Sequence, residues 1–360
     1  MKKKTIISLI LGIILSALAL YLALKNVPFS ELIIYLASIN YFWIVPSVVV
    51  IFIAFVLRAY RWQIILESAH KVGFWQAFHP MMIGFMINCV LPGRVGEVAR
   101  PAVLLKKEKV PFLTGLATVA AERVFDVGIL MALFAVLFAT VEIDPGLDIT
   151  FGNYHLNQQT LIIIGRSMLQ LFVVLMAGII MVSFDKTRKV INNAIMAVPS
   201  AFFFSGPSFK LKLQQKICLP LVGFVETFAT GFTLVKYPTK IYICTGLSIV
   251  VWGLSALSYY IIALGSPGIE LTFQEIAAVM TIICFFIALP SVPGFWGIWE
   301  AGGVFALALF GVSAKDALGF TLVNHVVQVF TVIVIGFISA LVTSVNIWQV
   351  SYEDREYKQL

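Results

Sequence analysis

Long apolar runs dominate the chain, and their lengths predict membrane-crossing helices rather than the segments of a soluble fold. A helix needs ~20 apolar residues to cross a hydrocarbon core of ~30 Å. Runs of about this length cover residues 5–24, 41–57, 113–139, 161–184, 241–264 and 317–345. The pattern therefore predicts an all-α polytopic membrane protein with about six full transmembrane helices.

The first run follows three lysines, Lys2, Lys3 and Lys4, which is also the arrangement of a secretory signal peptide. The apolar core of a signal peptide has only about 7 to 15 residues, however, and this run is long enough to span the bilayer. We therefore expect an uncleaved first helix whose basic N-terminus lies in the cytoplasm.

Two further apolar segments are interrupted by proline and glycine. Residues 74–91 end at Pro92-Gly93 and continue as an amphipathic segment to Lys109, and residues 273–289 end at Pro290 and resume at 298–310. Basic residues flank the first segment on both sides, so a single crossing would place one basic group outside the cell. A re-entrant helical hairpin, which enters and leaves on one side, is the better prediction for each.

The two interrupted segments correspond to each other. Leu91-Pro92 matches Leu289-Pro290 at an offset of 198 residues, and Glu122-Arg123 matches Asn324-His325 at an offset of 202. Paired interruptions of this kind are typical of transporters built from two inverted repeats, with the binding site at the repeat interface. We expect a first repeat at about 41–140 and a second at about 240–345.

The segment 185–236 between the repeats is basic and predicts a cytoplasmic or interfacial position. Its course leaves two topologies open. If residues 217–235 lie along the interface, the two halves are inverted and both chain ends are cytoplasmic; if they cross, the C-terminal tail lies outside. The distribution of lysine and arginine favours the first arrangement, with the acidic loop 142–159 outside.

Composition agrees with a single integral membrane domain over residues 1–360. Hydrophobic residues make up 60% and charged residues 12% of the chain, whereas a soluble domain has about 25% charged residues. The four cysteines and four histidines show no metal-binding spacing, and the sequence has no nucleotide-binding phosphate loop. We expect no metal, no cofactor and no nucleic-acid partner.

Charged and polar residues inside the interrupted and neighbouring segments are the candidate site. A charge at the bilayer centre costs about 2.5 to 3.5 kcal/mol, so such residues face partners or a wet cavity. Purely structural pairing between hairpins and helices is one interpretation; binding of a phosphate by guanidinium groups is the other. We predict a substrate site formed by Asn88, Arg94, Glu97, Arg100, Glu122, Arg123, Asp126, Glu300 and His325.

The segments Asn88 to Arg100 and Ala121 to Asp126 also carry a resemblance. They contain Asn88, an LP-R-GE-R pattern at 91–100 and an ER-D pattern at 122–126. Together with Pro293, Gly294, Gly297 and Glu300, these residues resemble the lysylphosphatidylglycerol synthase transmembrane-region family. The resemblance implies an integral membrane protein of the flippase-like type that moves lipids between leaflets. Synthase activity belongs to a separate soluble domain in that family, so it is not carried over to this chain.

These observations predict a lipid translocator for a phosphate-bearing lipid, either an anionic phospholipid or a polyprenyl lipid. Arg94, Arg100 and Arg123 would hold the phosphate, and the carboxylates would balance them. We find no catalytic motif and expect no enzymatic activity. Two alternatives stay open: a polyprenyl-phosphate-dependent glycosyl or acyl transferase, and a non-catalytic partner of a separately encoded lipid-modifying enzyme. The expected location is the cytoplasmic membrane of a bacterium or archaeon.

Overall fold

The structure is a computed structural model, and apart from a few isolated positions it describes residues 27–91, 94–140, 149–151, 154–156, 181–202, 206–231, 233–289 and 292–345. The regular secondary structure of these residues is helical except for one short antiparallel pair of strands, β1 (Ile149–Phe151) and β2 (Tyr154–Leu156). The predicted α-helical class is therefore confirmed. The predicted first helix and most of the predicted pass at 161–184 lie outside the described residues, as does most of the acidic loop.

Twelve helices are numbered here in chain order over the described residues. The first half contains α1 (Phe29–Ser38), α2 (Ile44–Leu66), α3 (Phe74–Val90), α4 (Gly96–Glu108) and α5 (Phe112–Thr140). The middle contains α6 (Asp185–Ala201), α7 (Pro207–Leu213) and α8 (Leu219–Gly231). The second half contains α9 (Pro238–Leu264), α10 (Phe273–Ile287), α11 (Ile298–Ala308) and α12 (Ala314–Thr343).

Three helical segments of the described chain are long and apolar enough to cross a membrane: Tyr41–Leu66, Pro238–Leu264 and Ala314–Thr343. Helix α5 has 29 residues, but it carries the charged residues Glu122, Arg123 and Asp126 in its middle. The chain is thus a membrane protein by length and composition of its helices, with three clear spans among the residues described.

Helix α2 corrects one sequence prediction. The apolar run at 41–57 predicts a pass that ends at Leu57, just before Arg58 and Arg61, but the helix continues to Leu66. Arg61 is completely buried, and its guanidinium binds Asp126 and Ser248 on neighbouring helices. The helix can continue because these partners compensate the buried charge.

The two halves share one order of elements: a long helix, a pair of short helices and another long helix. The first long helices of the two halves, α2 and α9, pack antiparallel. Ser47 near the start of α2 bonds to the carbonyl of Ser258 near the end of α9, and Arg61 near the end of α2 reaches Ser248. The backbone of Asn40, just before α2, bonds to Gly265, just after α9, over 2.8 Å.

The first hairpin, defined here as Phe74–Glu108, folds back on itself. Gln76 at its start donates a hydrogen bond of 2.5 Å to Glu108 at its end. The arms touch at Gly84, where a Cβ would lie 2.8 Å from the carbonyl oxygen of Gly96 and would overlap the Arg100 side chain. Glycine at this position therefore allows the arms to approach and gives Arg100 its path between them.

The second hairpin, Phe273–Ala308, has the same plan. A Cβ at Gly302 would stand 2.8 Å from Cβ of Phe286 on the facing arm. Thr272 and Glu275 begin α10 with a reciprocal capping arrangement of backbone and side-chain hydrogen bonds. Helix α10 then packs on α5, where the rings of Phe134 and Phe285 meet edge to face.

The first hairpin packs in turn on α12 of the second half. A Cβ at Gly336 would lie 2.6 Å from the carbonyl oxygen of Met82, so α12 and α3 are in close contact. Each hairpin thus has its first arm against the last long helix of the other half. The main apolar core lies mostly in the second half, around residues such as Ile276, Ile283 and Phe320.

The basic middle segment is held together by polar contacts. Arg188 of α6 forms an ion pair of 2.9 Å with Glu226 of α8, and Asn192 donates a hydrogen bond of 2.6 Å to the same carboxylate. Arg188 also pairs with Asp185, and this contact lowers the pKa of Asp185. Helix α8 packs on α5, with Phe228 beside the apolar cluster that contains Ala121.

Candidate functional site

The breaks of the two hairpins meet in space. Arg94, just after the first break, donates a hydrogen bond of 2.5 Å to the backbone carbonyl of Ile287 at the end of α10. Its guanidinium also lies 5.9 Å from the ring centre of Phe295 in the second break. Arg94 and Phe295 have φ angles of 53° and 64°, a region that residues with a Cβ rarely adopt. Each break thus places one residue in a costly conformation at the contact.

A cavity of about 230 Å³ lies beside this contact. Its walls come from both hairpins and from α2, α5, α9 and α12. The charged and amide residues that line it are Asn88, Glu97, Gln328 and the three arginines Arg58, Arg94 and Arg123. Aromatic residues complete the wall: Phe55, Phe85, Trp252, Tyr259, Phe295 and Trp299.

Behind the cavity lies a group of paired charges, named here the arginine cluster: Arg58, Arg61, Arg100, Arg123, Glu122 and Asp126. Arg61 donates a hydrogen bond of 2.8 Å to Asp126 and one of 2.6 Å to Ser248, and it lies 3.6 Å from Glu122. Every side chain in these contacts is buried. Buried ions of this kind are tolerated because each is paired and hydrogen-bonded.

Arg100 connects the first hairpin to the cluster. Its Nη2 lies 2.6 Å from a carboxylate oxygen of Glu122, and its guanidinium lies over the ring of Trp62 at 4.2 Å. The side chain is only 1% exposed. Arg100 therefore anchors α4 to α5 and has no surface on the cavity.

Arg123 and Arg58 belong to both the cluster and the cavity. Arg123 bonds to Glu122 over 2.6 Å and lies 3.3 Å from Asp126, yet 36% of its side chain is exposed. Its Nε faces Glu97 at 4.0 Å without forming a hydrogen bond. Arg58 is 3.9 Å from Asp126 and lies over the ring of Trp252 at 5.0 Å.

The formal charge of this region is positive. The five arginines of the cluster and the first break are accompanied by three carboxylates, those of Glu97, Glu122 and Asp126. With all groups ionised the sum is +2, and the surplus lies towards the cavity, where Arg58 is 3.9 Å from Asp126 and Arg94 binds the backbone carbonyl of Ile287. In a poorly hydrated site such a surplus favours an anion.

The second hairpin carries a separate buried pair, Glu300 and His325. Nδ1 of His325 lies 2.5 Å from one carboxylate oxygen of Glu300, and Nε2 lies 2.7 Å from the carbonyl oxygen of Gly294. The other carboxylate oxygen accepts a hydrogen bond of 2.6 Å from the backbone of Gly297. A carbonyl accepts only, so Nε2 carries a hydrogen, and one further proton lies between Nδ1 and the carboxylate.

A family model describing the lysylphosphatidylglycerol synthase transmembrane region matches residues 9–336. The chain belongs to this family. The resemblance seen at the Asn88 to Asp126 motifs is thereby confirmed. No solved structure matches the chain.

Three relatives of this lysylphosphatidylglycerol synthase transmembrane-region protein come from archaea. A protein of Haloferax volcanii named glycosyltransferase AglD is 24% identical over 98% of the chain, and the chain spans 57% of its length. A UPF0104 membrane protein of Methanothermobacter thermautotrophicus is 21% identical over 93% of both chains. A UPF0104 membrane protein of Methanocaldococcus jannaschii is 23% identical over 72% of the chain and 95% of its own length.

The structure divides the predicted site residues into three groups. Asn88, Arg94, Glu97 and Arg123 line the cavity. Arg100, Glu122 and Asp126 lie behind it, buried in the arginine cluster. Glu300 and His325 are fully buried in the second hairpin and its neighbouring helix, and they hold the second break.

Sequence reasoning missed Arg58, Arg61 and Trp252. Because the two arginines follow an apolar run, their position in the sequence predicts the cytoplasmic end of a pass. One feature of the sequence could have placed them inside the protein. Arg58 and Arg61 are three residues apart and share one helical face, and Glu122 and Asp126 are four residues apart and share a face of another helix. Among the described residues, no group of three or more His, Cys, Asp or Glu side chains could hold a metal ion.

Proposed function

We propose that the protein moves a phosphate-bearing lipid between the two leaflets of its membrane. The observation that carries this proposal is the cavity at the meeting point of the two hairpins, where Arg58, Arg94 and Arg123 face one carboxylate, Glu97. A lipid phosphate brings the negative charge that this surplus favours, and guanidinium groups bind phosphate oxygens in pairs.

The arrangement of the two halves supports movement across the membrane. Helices α2 and α9 are antiparallel, and the arms of each hairpin fold back to one side. We propose that the halves, 41–140 and 240–345, are inverted repeats and that each hairpin is re-entrant, from opposite faces. In transporters of this design, substrate binds at the repeat interface and access alternates around it.

The proposed roles differ among the arginines. Arg58, Arg94 and Arg123 contact the phosphate, because each of them lines the cavity. Arg61 and Arg100 position the others through Asp126 and Glu122. Asn88 and Glu97 lie at the same cavity and contact the head group, whereas Glu300 and His325 fix the second break.

The proposed setting is the cytoplasmic membrane, with the basic segment 185–236 on the cytoplasmic side. Lys71 after α2 and Lys240 at the start of α9 lie together at one end of the helices, which is the end that the positive-inside rule places in the cytoplasm. A separately encoded enzyme that makes or modifies the lipid is the expected partner.

A transferase that uses a polyprenyl phosphate is the second candidate. It is favoured by the name of the Haloferax relative, a glycosyltransferase, and by an arginine-lined cavity that suits a polyprenyl phosphate as well as a phospholipid. The chain spans 57% of that relative, so the activity in the relative's name can belong to the part of it that this chain does not match.

Reconstitution tests the proposal. The purified chain is placed in phosphatidylcholine liposomes that contain tail-labelled phosphatidylglycerol, and translocation is followed by quenching of label in the outer leaflet. We expect the chain alone to speed translocation. Product formation from a polyprenyl-phosphate sugar, without translocation, would instead support the transferase.

Arg94→Lys examines the phosphate contact directly. Lysine keeps the charge but lacks the two-pronged donor, and losing one charge-assisted hydrogen bond costs about 1.5 to 3 kcal/mol. We expect a roughly tenfold or larger loss of lipid affinity at an unchanged melting temperature. Arg188→Lys, at the pair with Glu226 away from the cavity, is the matched control. Parent-like binding by well-folded Arg94→Lys and Arg94→Ala would contradict the proposal.

A further inference from the structure

The two halves differ in whether their paired cation can lose its proton. Arg123 of the first half corresponds to His325 of the second, at an offset of 202 residues, and each lies beside a carboxylate, that of Glu97 or Glu300. A guanidinium stays charged in proteins, whereas an imidazole gains or loses its proton between about pH 5 and 8. The second half therefore has a group that can exchange a proton where the first half has a permanent charge.

The contacts of His325 require one proton between its imidazole and the carboxylate of Glu300. Nε2 of the imidazole donates to the carbonyl oxygen of Gly294 over 2.7 Å, so the hydrogen on Nε2 is already used. Nδ1 lies 2.5 Å from Oε1 of Glu300. Without a second proton, two lone pairs would face each other at this distance. With that proton, the pair as a whole is neutral, whether the proton lies on the nitrogen or on the oxygen.

The surroundings of the pair favour this protonated form. The rings of Trp296 and Trp299 each have their centre 4.3 Å from that of the imidazole, and the faces of indole rings attract cations. Both side chains of the pair are completely buried. Loss of the shared proton would leave a buried negative charge without a cation, which is strongly unfavourable. The second break, in the form in which the pair binds Gly294 and Gly297, therefore requires the proton.

The other titratable and charged groups around the pair keep one protonation state near neutral pH. Tyr35 of α1 contacts α12 at Gly319. At pH 7, carboxylates are ordinarily ionised, phenols and thiols hold their proton, and guanidinium groups are charged. The groups that line the adjoining cavity are Arg58 of α2, Cys89 of α3, Arg94 and Glu97 of the first hairpin, Arg123 of α5, Tyr259 of α9 and Cys284 of α10. Among these described residues, the Glu300–His325 pair is thus the group that exchanges a proton near neutral pH.

The second break also forms part of the wall of the cavity. Phe295 in the break lies 5.9 Å from the guanidinium of Arg94, and Trp299, which stacks on His325, lines the same cavity. A ligand that contacts this wall binds best when the wall is complete, and the wall is complete only with the proton bound. Because coupling between two ligands is reciprocal, the ligand in turn favours binding of the proton.

We propose that the Glu300–His325 pair is a proton-binding site and that one proton crosses the membrane with each lipid, in the same direction. The inference rests on the lipid translocation proposed above and adds the source of energy for it. Closing the second break takes up one proton from water on one side of the membrane, between Nδ1 and Oε1. Opening the break towards the other side returns that proton to water, which leaves the Glu300 carboxylate and a neutral imidazole.

The proton site can be tested without transport, with the variant Glu300→Gln. The amide keeps the hydrogen bonds, since its oxygen accepts from the backbone N–H of Gly297 and its N–H donates to Nδ1 of a neutral His325. In an unfolded chain above about pH 6.5, a histidine is neutral and a glutamate is ionised. The folded parent then holds one proton more than its unfolded chain, so its free energy of unfolding falls as the pH rises. The folded variant holds no extra proton.

Reversible unfolding in mixed detergent micelles at about pH 7.5 and 8.5 measures this difference. We expect the unfolding equilibrium constant of the parent to rise about tenfold relative to that of Glu300→Gln over this interval. Glu270→Gln, at an exposed position between α9 and α10, should keep the pH dependence of the parent. If Glu300→Gln also keeps it, the pair binds no exchangeable proton and the inference is wrong.

The coupling is tested on the parent protein in phosphatidylcholine liposomes that contain tail-labelled phosphatidylglycerol. Valinomycin with equal potassium on both sides holds the membrane potential at zero, and the two sides differ by about one pH unit. A tenfold ratio of protons can sustain up to about a tenfold ratio of lipid, so we expect the label to accumulate in the leaflet that faces the alkaline side. Protein-free liposomes and Glu300→Gln should show no accumulation.

The outcomes separate this inference from the proposed function. If the parent moves the label but leaves it evenly distributed under the gradient, translocation stands and the coupling is wrong. Accumulation in the leaflet facing the acidic side would contradict movement of proton and lipid in one direction. If the label does not cross with or without a gradient, the proposed function and the coupling fail together, and the pH dependence of unfolding still decides whether the pair binds a proton.

Discussion

Each half of the molecule has a carboxylate beside a basic side chain at corresponding positions, and the two pairs differ in distance and burial. Glu97 and Arg123 of the first half correspond to Glu300 and His325 of the second, at offsets of 203 and 202 residues. The first pair is 4.0 Å apart, with side chains 23% and 36% exposed at the cavity. The second is 2.5 Å apart and completely buried. One pair is therefore open towards a ligand, while the other is closed within the protein.

This difference assigns different tasks to the two hairpins. In the second hairpin, the pair also binds Gly294 and Gly297, so its polar groups are used to hold the break. In the first hairpin, the break is held by Asn88, whose side-chain oxygen accepts a hydrogen bond of 2.7 Å from Gly96. Glu97 and Arg123 are thereby left available to the cavity. The two halves are alike in the order of their helices and differ in the chemistry of these pairs.

Removing the closed pair should have the largest effect on stability. Glu300→Ala leaves the backbone N–H of Gly297 and one nitrogen of His325 without their partner in a buried site. Breaking a buried pair of this kind costs about 3 to 5 kcal/mol. We expect a marked fall in the melting temperature of the purified protein and a low yield of folded chain.

Glu97→Ala is the matched change in the other half. The open pair at 4.0 Å is partly exposed and not hydrogen-bonded, so its loss should cost less than about 1 kcal/mol. Thermal unfolding of both variants in the same detergent makes the comparison. Equal destabilisation by the two substitutions would show that the difference in distance and burial between the two pairs has no effect on stability.

The packing between hairpin arms gives the next largest effect. Gly84→Ala would push a Cβ into the Arg100 side chain and against the backbone oxygen of Gly96. Overpacking of this kind costs about 1 to 3 kcal/mol, and the backbone neighbour cannot rotate away. Gly302→Ala meets the Phe286 side chain in the second hairpin and should cost less.

Gly246→Ala is the control, because a Cβ at that position in α9 has no neighbour within 4 Å. Differential scanning fluorimetry should rank the variants as Gly84→Ala least stable, then Gly302→Ala, with Gly246→Ala equal to the parent or slightly more stable. A parent-like melting temperature for Gly84→Ala would show that the close contact between the arms of the first hairpin does not limit the size of the side chain at this position.

The sequence was sufficient to predict both interrupted helices. Pro92-Gly93 and the prolines 290 and 293 interrupt apolar runs, and interruption by such residues is a local property that a sequence displays directly. The residues Asn88, Arg94, Glu97 and Arg123 are four of the nine that the sequence predicts as one site, because charged and polar residues inside apolar segments need partners or a wet cavity. The structure brings all four to one cavity.

The rest depends on contacts between distant parts of the chain. An arginine at the end of an apolar run signals a membrane boundary unless a partner lies opposite, and the partner of Arg61 is Asp126, 65 residues later. The same holds for Trp252, whose place on the cavity follows from the antiparallel packing of α2 and α9. Sequence spacing alone also could not separate Arg100, which is buried, from Arg94, which is exposed.

A small effect on stability is also expected at Asn88, the first hairpin's counterpart to the Glu300 contact. Asn88→Ala removes one neutral hydrogen bond to Gly96 and should cost about 1 kcal/mol, well below the effect of Glu300→Ala. Asn88→Asp separates structure from binding, because a carboxylate still accepts from Gly96 but adds a negative charge to the cavity. We expect this variant to melt like the parent and to bind anionic phospholipid about three- to tenfold more weakly. If Asn88→Asp binds the lipid as tightly as the parent while remaining folded, the anion does not occupy the cavity beside the first break, and the asymmetry between the hairpins must serve another purpose.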